Sequence, residues 1–292
     1  MTDNRHGMNP ITPEELEVIS KYIYDISGII IDDSKAYLVE TRLRNIGEEL
    51  GCVSYSELFE KMTVATTQSL KERIIDAIST NETLFFRDST PFDLLKYKIL
   101  PELIDRRSAA RKGVSPIPIR IWSAACSTGQ ELYSIAVVLK ELLPDFRGYE
   151  IRLLGTDISD KALQQASYGT YNKFEVERGL SEETLHRYFI PYEKGWRIKD
   201  EIRAMVQFKK LNLHSSFQFL GEFDVIFCRN VAIYFSPEDR KRLFDRLADT
   251  LSPDGSLIIG STESLTGVST RFVPLRHLRS VFYQLKDSRE PS

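Results

Sequence analysis

An α/β fold is what this sequence predicts: an open, mostly parallel sheet with an antiparallel closing strand, preceded by a small all-α domain and interrupted by a small inserted β subdomain. Three observations predict it. The stretch from Ile119 to Ser134, IRIWSAACSTGQELYS, reads as a buried strand, a tight turn and a helix start. From Ile119 onward, strand patterns alternate with helical ones, which marks a parallel sheet. In the first 78 residues, apolar side chains recur at helical spacing, with no strand candidate beyond the short run Ile29–Ile31.

The elements follow in order. Residues 1–10 read as a disordered tail. Thr12-Pro13-Glu14-Glu15 is a capping box with proline at the first helical position. Leu16, Ile19, Ile23 and Ile26 then mark one face, and Gly28 ends the helix. A second helix from about Ser34 turns Val39, Leu43, Ile46 and Leu50 inward and stops at Gly51. Ser54 and Glu57 cap a short third helix, and a fourth carries Leu70, Ile74, Ala77 and Ile78. The all-α domain is thus expected over 11–88, including the polar run Ser79-Thr80-Asn81-Glu82-Thr83 and the pair Phe85-Phe86 before Arg87. A helical linker covers 89–118, its end (Ser108 to Pro118) basic and then Gly/Pro-bearing.

The sheet domain is expected over 119–287. Its first strand ends near Cys126, its second is Ile151 to Leu154, ended by Gly155-Thr156-Asp157, and a helix covers Asp160 to Ala166. Residues of about 168–210 break the alternation: a helix near Leu185–Phe189 and short strands at Gly195–Ile198 and Ala204–Phe208 suggest the β insertion. Phe223–Asn230 is a further buried strand, and Val231–Phe235 brings a tyrosine close to the strand tips. A helix from Pro237 to Leu251, a strand at Leu257–Gly260 and an antiparallel pair, Phe272–Pro274 with Ser280–Leu285, complete the domain.

Composition excludes several function classes. The formal charge of −3 over 292 residues gives no nucleic-acid footprint. No apolar run approaches a membrane span, and MTDNRHGMNP is no signal peptide, so a cytoplasmic protein without membrane insertion is expected. Cys52, Cys126 and Cys228 lack C-x-x-C spacing, and His6, His186, His214 and His277 lie far apart, so no metal is expected.

The chemistry concentrates at the first strand-to-helix turn. Ala124 to Gly129 are six small residues in a row, which lets backbone approach a ligand closely. A dinucleotide turn carries G-x-G-x-x-G so that a pyrophosphate can touch backbone N–H groups. This turn has one glycine and an acid, Glu131, at the helix start. An acid there suits a ligand with a cationic group, such as S-adenosylmethionine, better than one with phosphates. An ordinary strand-to-helix turn in an α/β core fits the same residues. Asp157, at the tip of the second strand, suits the two hydroxyls of a ribose, or alternatively caps the following helix.

Asn81-Glu82-Thr83 with Phe86-Arg87, then WSAACSTGQE, GTD, LNL and FDVIFCRNVAIYF, in this order, resemble the CheR family of chemotaxis receptor methyltransferases. The resemblance covers nearly the whole chain. It implies a class I, Rossmann-like S-adenosylmethionine-dependent methyltransferase domain, with S-adenosylhomocysteine as product. It implies glutamate side chains on the cytoplasmic signalling domains of methyl-accepting chemoreceptors as acceptors. It also implies residue roles: Asn81, Thr83 and Arg87 as donor contacts, Glu131 at the methionine part, Asp157 at the ribose, and Asn212, Leu213, Asn230 and Val231 around the adenosine and strand tips. Arg87 and Tyr234 would lie nearest the methyl group, and Phe85, Phe86 and Tyr234 suit a dry site. Leu132 stands where the family often has proline, and Ala232 where a larger aliphatic residue is usual.

Lys35, Arg42 and Arg44 are the basic residues that would meet acidic receptor helices, although Glu40, Glu48 and Glu49 are interleaved with them. The loop Tyr192-Glu193-Lys194-Gly195-Trp196 is short, so no tight binding of a receptor's C-terminal pentapeptide is expected. A monomer is expected. The rival readings are a class I methyltransferase with another acceptor and a non-catalytic donor-binding adaptor.

Overall fold

The computed structural model describes residues 7–64, 68–110, 116–143 and 145–286. Four helices open the chain: α1 Pro13–Ser27, α2 Ala36–Glu49, α3 Tyr55–Val64 and α4 Gln68–Ile78. The first is set at both ends. Thr12 and Glu15 form the reciprocal capping box, and Gly28, at φ 79°, closes the helix by donating its N–H to the Tyr24 carbonyl. Ile19, Ile23, Val39, Leu43, Tyr55, Leu58 and Ile74 fill the core between the helices. Residues 1–6 of the expected tail lie outside the described residues. Met8 does not behave as tail: it is buried against this core, and Asn9 N–H bonds the Val53 carbonyl at 3.0 Å. The Ile29–Ile31 run forms no strand; it bridges to the other domain through one bond, Ile30 N–H to the Tyr234 carbonyl at 3.0 Å.

Helix α5, Thr90–Leu94, continues through a π-helical turn, Leu95–Ile99, into α6, Leu100–Ala110. Of the expected surface linker, Ser108–Ala110 finish α6 and Ile117–Pro118 begin the first strand, while 111–115 lie outside the described residues, as does Asp287.

The second domain begins with β1 Ile117–Ala124, α7 Gln130–Leu142, β2 Tyr149–Asp157 and α8 Asp160–Tyr168. The insertion follows: β3 Thr170–Asn172, α9 Lys173–Glu177, α10 Glu182–Tyr188, β4 Phe189–Tyr192 and β5 Gly195–Ile198. Then come α11 Asp200–Arg203, β6 Val206–Lys210, β7 Phe223–Cys228, α12 Pro237–Thr250, β8 Leu251–Ile259, β9 Phe272–His277 and β10 Ser280–Leu285. The large sheet has the order β6-β2-β1-β7-β8-β10-β9, parallel from β6 to β8, with β10 antiparallel to both its neighbours. The inserted strands form a separate antiparallel sheet, β3-β5-β4. This corrects the expectation at Ala204–Phe208: β6 returns to the large sheet beside β2 rather than joining the insertion, so Leu153 to Asp157 gain a parallel partner and their backbone groups are satisfied.

The chain places β2 and β6 on one side of β1 and β7 on the other. The strand order therefore reverses at β1, and a crevice opens at the carboxyl ends of β1, β2 and β7. The all-α domain faces that crevice and is held by polar contacts. Tyr24 Oη donates to Asp239 Oδ2 (2.7 Å), Asn212 Nδ2 to the Ile26 carbonyl (3.2 Å), Ser159 Oγ to Asp76 (2.7 Å) and Lys210 Nζ to Glu72 (2.9 Å).

Asp239 carries a pH dependence. Burial pushes its pKa up, but hydrogen bonds from Arg242, Ser236 and Tyr24 and the nearby His214 outweigh that and hold the carboxyl at about 2. Its unfolded value is about 3.9. A depressed folded pKa contributes stability above the unfolded value, and that contribution is lost as pH falls through the folded one. Asp239→Asn is expected to lower unfolding free energy by about 1–2 kcal/mol at about pH 7, allowing for solvent around Arg242. The deficit should shrink between about pH 4 and about pH 2. Urea unfolding at both ends of that window checks it, and a deficit that ignores pH removes the ionised carboxylate from the explanation.

Candidate functional site

The turn after β1 is built from strained small residues. Ala125 and Ser127 have φ of 60° and 50°, and Gly129, at 93°, leads into α7. A side chain at Gly129 would meet Ala166 Cβ at 2.9 Å, so the position needs glycine for space as well as for φ. Asn230, at the tip of β7, has φ 56°, and Phe86, Asp88 and Ser89, flanking Arg87, have φ of 50°, 65° and 31°. Strain concentrated at strand tips and one interdomain segment is the pattern of a functional site.

Asp157 closes β2 and is almost wholly buried. Its Oδ2 accepts the Ser127 N–H (2.8 Å) and its Oδ1 the Ser159 N–H (3.0 Å). Burial raises its pKa, and bonds from the Ser159, Ser127 and Ile158 backbones oppose the rise. It is not the cap of α8; Ser159 is, its side chain accepting from the Ala162 N–H at 3.1 Å. The Ser127 N–H is a group a phosphate-binding turn would offer its ligand. Here a carboxylate takes it, which turns the crevice away from phosphates.

Glu131, in the first turn of α7, is oriented from two strands. Ser123 Oγ, on β1, donates to its Oε1 at 2.8 Å, and Arg229 Nη1, just past β7, to its Oε2 at 3.0 Å. Asn212 is pinned too, its Oδ1 accepting the His214 N–H at 2.8 Å. The Asn230 N–H donates to Glu263 Oε2 at 2.8 Å. Ser127 Oγ reaches the Asn81 carbonyl at 3.2 Å and ties the interdomain segment to the turn.

The ten residues given donor or methyl-group roles in the sequence line one open cleft: Asn81, Thr83, Arg87, Glu131, Asp157, Asn212, Leu213, Asn230, Val231 and Tyr234. Ile29, Ile158, Leu211 and Phe235 supply apolar wall, and among the described residues the lining holds no histidine and no lysine. Its acids and apolar walls fit a nucleoside bearing cationic groups and no phosphate.

Two aromatics do not belong there. Phe85 is buried away from the cleft, edge-on to Tyr171 (4.9 Å between centroids) and Phe189 (5.3 Å), and so anchors the interdomain segment to the inserted sheet. Phe86 packs on Phe92 at 5.2 Å. Conversely, Arg229 lines the cleft and was not legible in the sequence, where an arginine after an apolar strand reads as a surface residue. Nor do the basic residues of α2 stand free. Arg42 Nη1 donates to the Ile78 carbonyl (2.5 Å), Arg44 Nη1 to the Met8 carbonyl (2.6 Å), and Lys35, just before the helix, pairs with Asp32 (2.9 Å). They brace their own domain.

Comparison with known proteins matches this architecture domain by domain. Residues 14–79 match the model of the CheR methyltransferase all-alpha domain, and residues 81–280 that of the CheR methyltransferase SAM binding domain. The chain is 37% identical over 276 residues to the chemotaxis protein methyltransferase Cher2 of Pseudomonas putida, covering 93% of this chain and 98% of that one. It is 38% identical over 284 residues to a chemotaxis protein methyltransferase of Vibrio parahaemolyticus (94% and 98% covered) and 36% identical over 270 residues to one of Borreliella burgdorferi (90% and 93%). With the two CheR models matched over residues 14–79 and 81–280 and relatives of 36–38% identity covering most of the chain, the chain belongs to the CheR methyltransferase family and is an S-adenosylmethionine-dependent methyltransferase.

Proposed function

We propose that the enzyme esterifies glutamate side chains on the cytoplasmic signalling helices of chemoreceptors, acting in the cytoplasm as a monomer. The observation that carries this reading is the match of both domains to the CheR methyltransferase models and of the whole chain to chemotaxis protein methyltransferases. In the cleft, Glu131 and Asp157 are engaged in bonds of their own, and Glu82 is the remaining acid of the described lining. An amine or hydroxyl acceptor must lose a proton and wants a base. A glutamate carboxylate, with an ordinary pKa of about 4.3, is already ionised at neutral pH. Bound S-adenosylmethionine supplies a methyl group on a cationic sulfur.

The chain's residues bind, orient and exclude water. Glu131 faces the donor's amino-acid part, and Asp157 accepts from the ribose. Asn212, Leu213, Asn230 and Val231 enclose the adenosine. Asn81, Thr83 and Arg87 cover the donor from the interdomain segment, with Arg87 and Tyr234 nearest the methyl. Holding anion and cation in line in a dry cleft suits a step in which opposite charges meet.

Receptor-bearing membranes incubated with tritiated donor and this enzyme should incorporate label that mild alkali releases as methanol. Alkali-stable label would eliminate the ester, and no label would point to an acceptor other than the receptor. The β4–β5 hairpin turns through Glu193 and Lys194 alone, which supports a reading without a tail tether. Removing the receptor's C-terminal pentapeptide should leave the rate of incorporation unchanged.

A further inference from the structure

We infer that Arg229 is a positioning residue that couples donor binding to the placement of Arg87. The inference rests on the reading of Glu131 and Arg87 given above. The Arg229 side chain is 2% exposed, at the centre of three contacts. Nη1 holds Glu131 Oε2 at 3.0 Å, while Nη2 holds both Asp88 Oδ2, at 2.7 Å, and the backbone carbonyl of Arg87, at 2.9 Å. Phe92 lies under the guanidinium, 5.9 Å from ring centre to Cζ, and Nε is buried without a hydrogen-bond partner among the described residues.

An arginine sunk this deep gives up water on every side, and an ion pair so buried is weak evidence of a role in stability. What it does secure is geometry. Phe86, Asp88 and Ser89 all have positive φ, so the backbone that presents Arg87 is strained and needs an anchor. Arg229 supplies one, beside the bond from the Phe86 N–H to Ser134 Oγ (2.9 Å), and the same rigid fork fixes the carboxylate that faces the donor. Displacement of Glu131 is therefore felt at Arg87, and the reverse.

The test uses purified full-length variants. It reads S-adenosylhomocysteine affinity by calorimetry, and methyl transfer to receptor membranes at saturating donor. Arg229→Lys keeps the charge but loses the fork; affinity is expected to fall about tenfold and turnover about thirtyfold. Asp88→Asn weakens only the Arg87 side, leaving the bond to the Arg87 carbonyl in place, at a residue whose side chain is 36% exposed, so this variant should fold even if Arg229→Lys does not. It is expected to keep affinity within about threefold while turnover falls about tenfold. A purely structural arginine would lower the melting temperature and leave both parameters per folded molecule unchanged, which overturns the inference. So does wild-type turnover in Asp88→Asn. Glu131→Gln and Arg87→Ala serve as controls: wild-type parameters in those two overturn the site assignment itself, whereas impaired controls beside unaffected Arg229→Lys and Asp88→Asn overturn the coupling alone.

Discussion

Arg87→Ala is expected to lower methyl transfer about a hundredfold or more while leaving S-adenosylhomocysteine affinity within about tenfold. Arg87 ends the segment that joins the two domains and lines the cleft on the side of the all-α domain. Its Nη1 donates to the Glu82 carbonyl at 3.2 Å, a bond that steadies the side chain along its own segment. A guanidinium stays charged at any working pH and offers donors in a rigid plane. If those donors align the acceptor carboxylate with the methyl group, their contribution is to geometry in the reacting complex. Tighter binding of that carboxylate before reaction would not raise turnover, because uniform binding lowers ground and transition states together. Arg87→Lys should therefore recover little, since a point charge does not reproduce the fork. The opposite pattern, collapsed affinity with near-wild-type turnover at saturating donor, would mean that Arg87 grips only the donor's own carboxylate.

How much of this was readable beforehand differs by the range of the interaction involved. The capping box at Thr12 and Glu15, the stop at Gly28 and the small-residue turn after β1 are written in consecutive residues, and the structure repeats them. The cleft was legible for a related reason. Asp157, Asn212, Leu213, Asn230 and Val231 sit at or just past strand tips, and a parallel sheet brings the tips of non-consecutive strands to one edge whatever lies between them. What failed depends on distant pairing. Val206–Lys210 follows the insertion closely and looks like its last strand, yet its partner is β2, about fifty residues earlier. Phe85 reads as a site aromatic because it stands two residues before Arg87, but its ring is claimed by Tyr171 and Phe189. Arg229 carries no local mark of burial; only the arrival of Glu131 and Asp88 from two other elements makes that burial tolerable. The bonds of the α2 arginines are equally unmarked, since the carbonyls that Arg42 and Arg44 hold, Ile78 and Met8, are more than thirty residues distant.

Asp157→Ala is expected to weaken donor and product binding by about 1–3 kcal/mol, or about 5- to 150-fold, with turnover at saturating donor changed far less. Its Oδ2 already accepts the Ser127 N–H and its Oδ1 the Ser159 N–H, and the Ile158 backbone also stabilises the carboxylate. An ionised carboxylate has about four lone-pair sites, so acceptor capacity remains for a ribose hydroxyl. Removing the side chain takes away those acceptors and also frees the Ser127 N–H in a turn held at positive φ. Asp157→Asn is no milder. A carboxamide has one oxygen, so its NH₂ must face either the Ser127 or the Ser159 N–H, donor against donor. The ribose lies away from the reacting methyl, so the loss is one of uniform binding and belongs in KM rather than kcat. That split is the reverse of the one expected for Arg87, and calorimetry beside a donor-saturation curve reads both. Unchanged affinity with a lowered melting temperature would reduce Asp157 to a brace for the Ser127 turn and leave the ribose to be recognised elsewhere in the cleft.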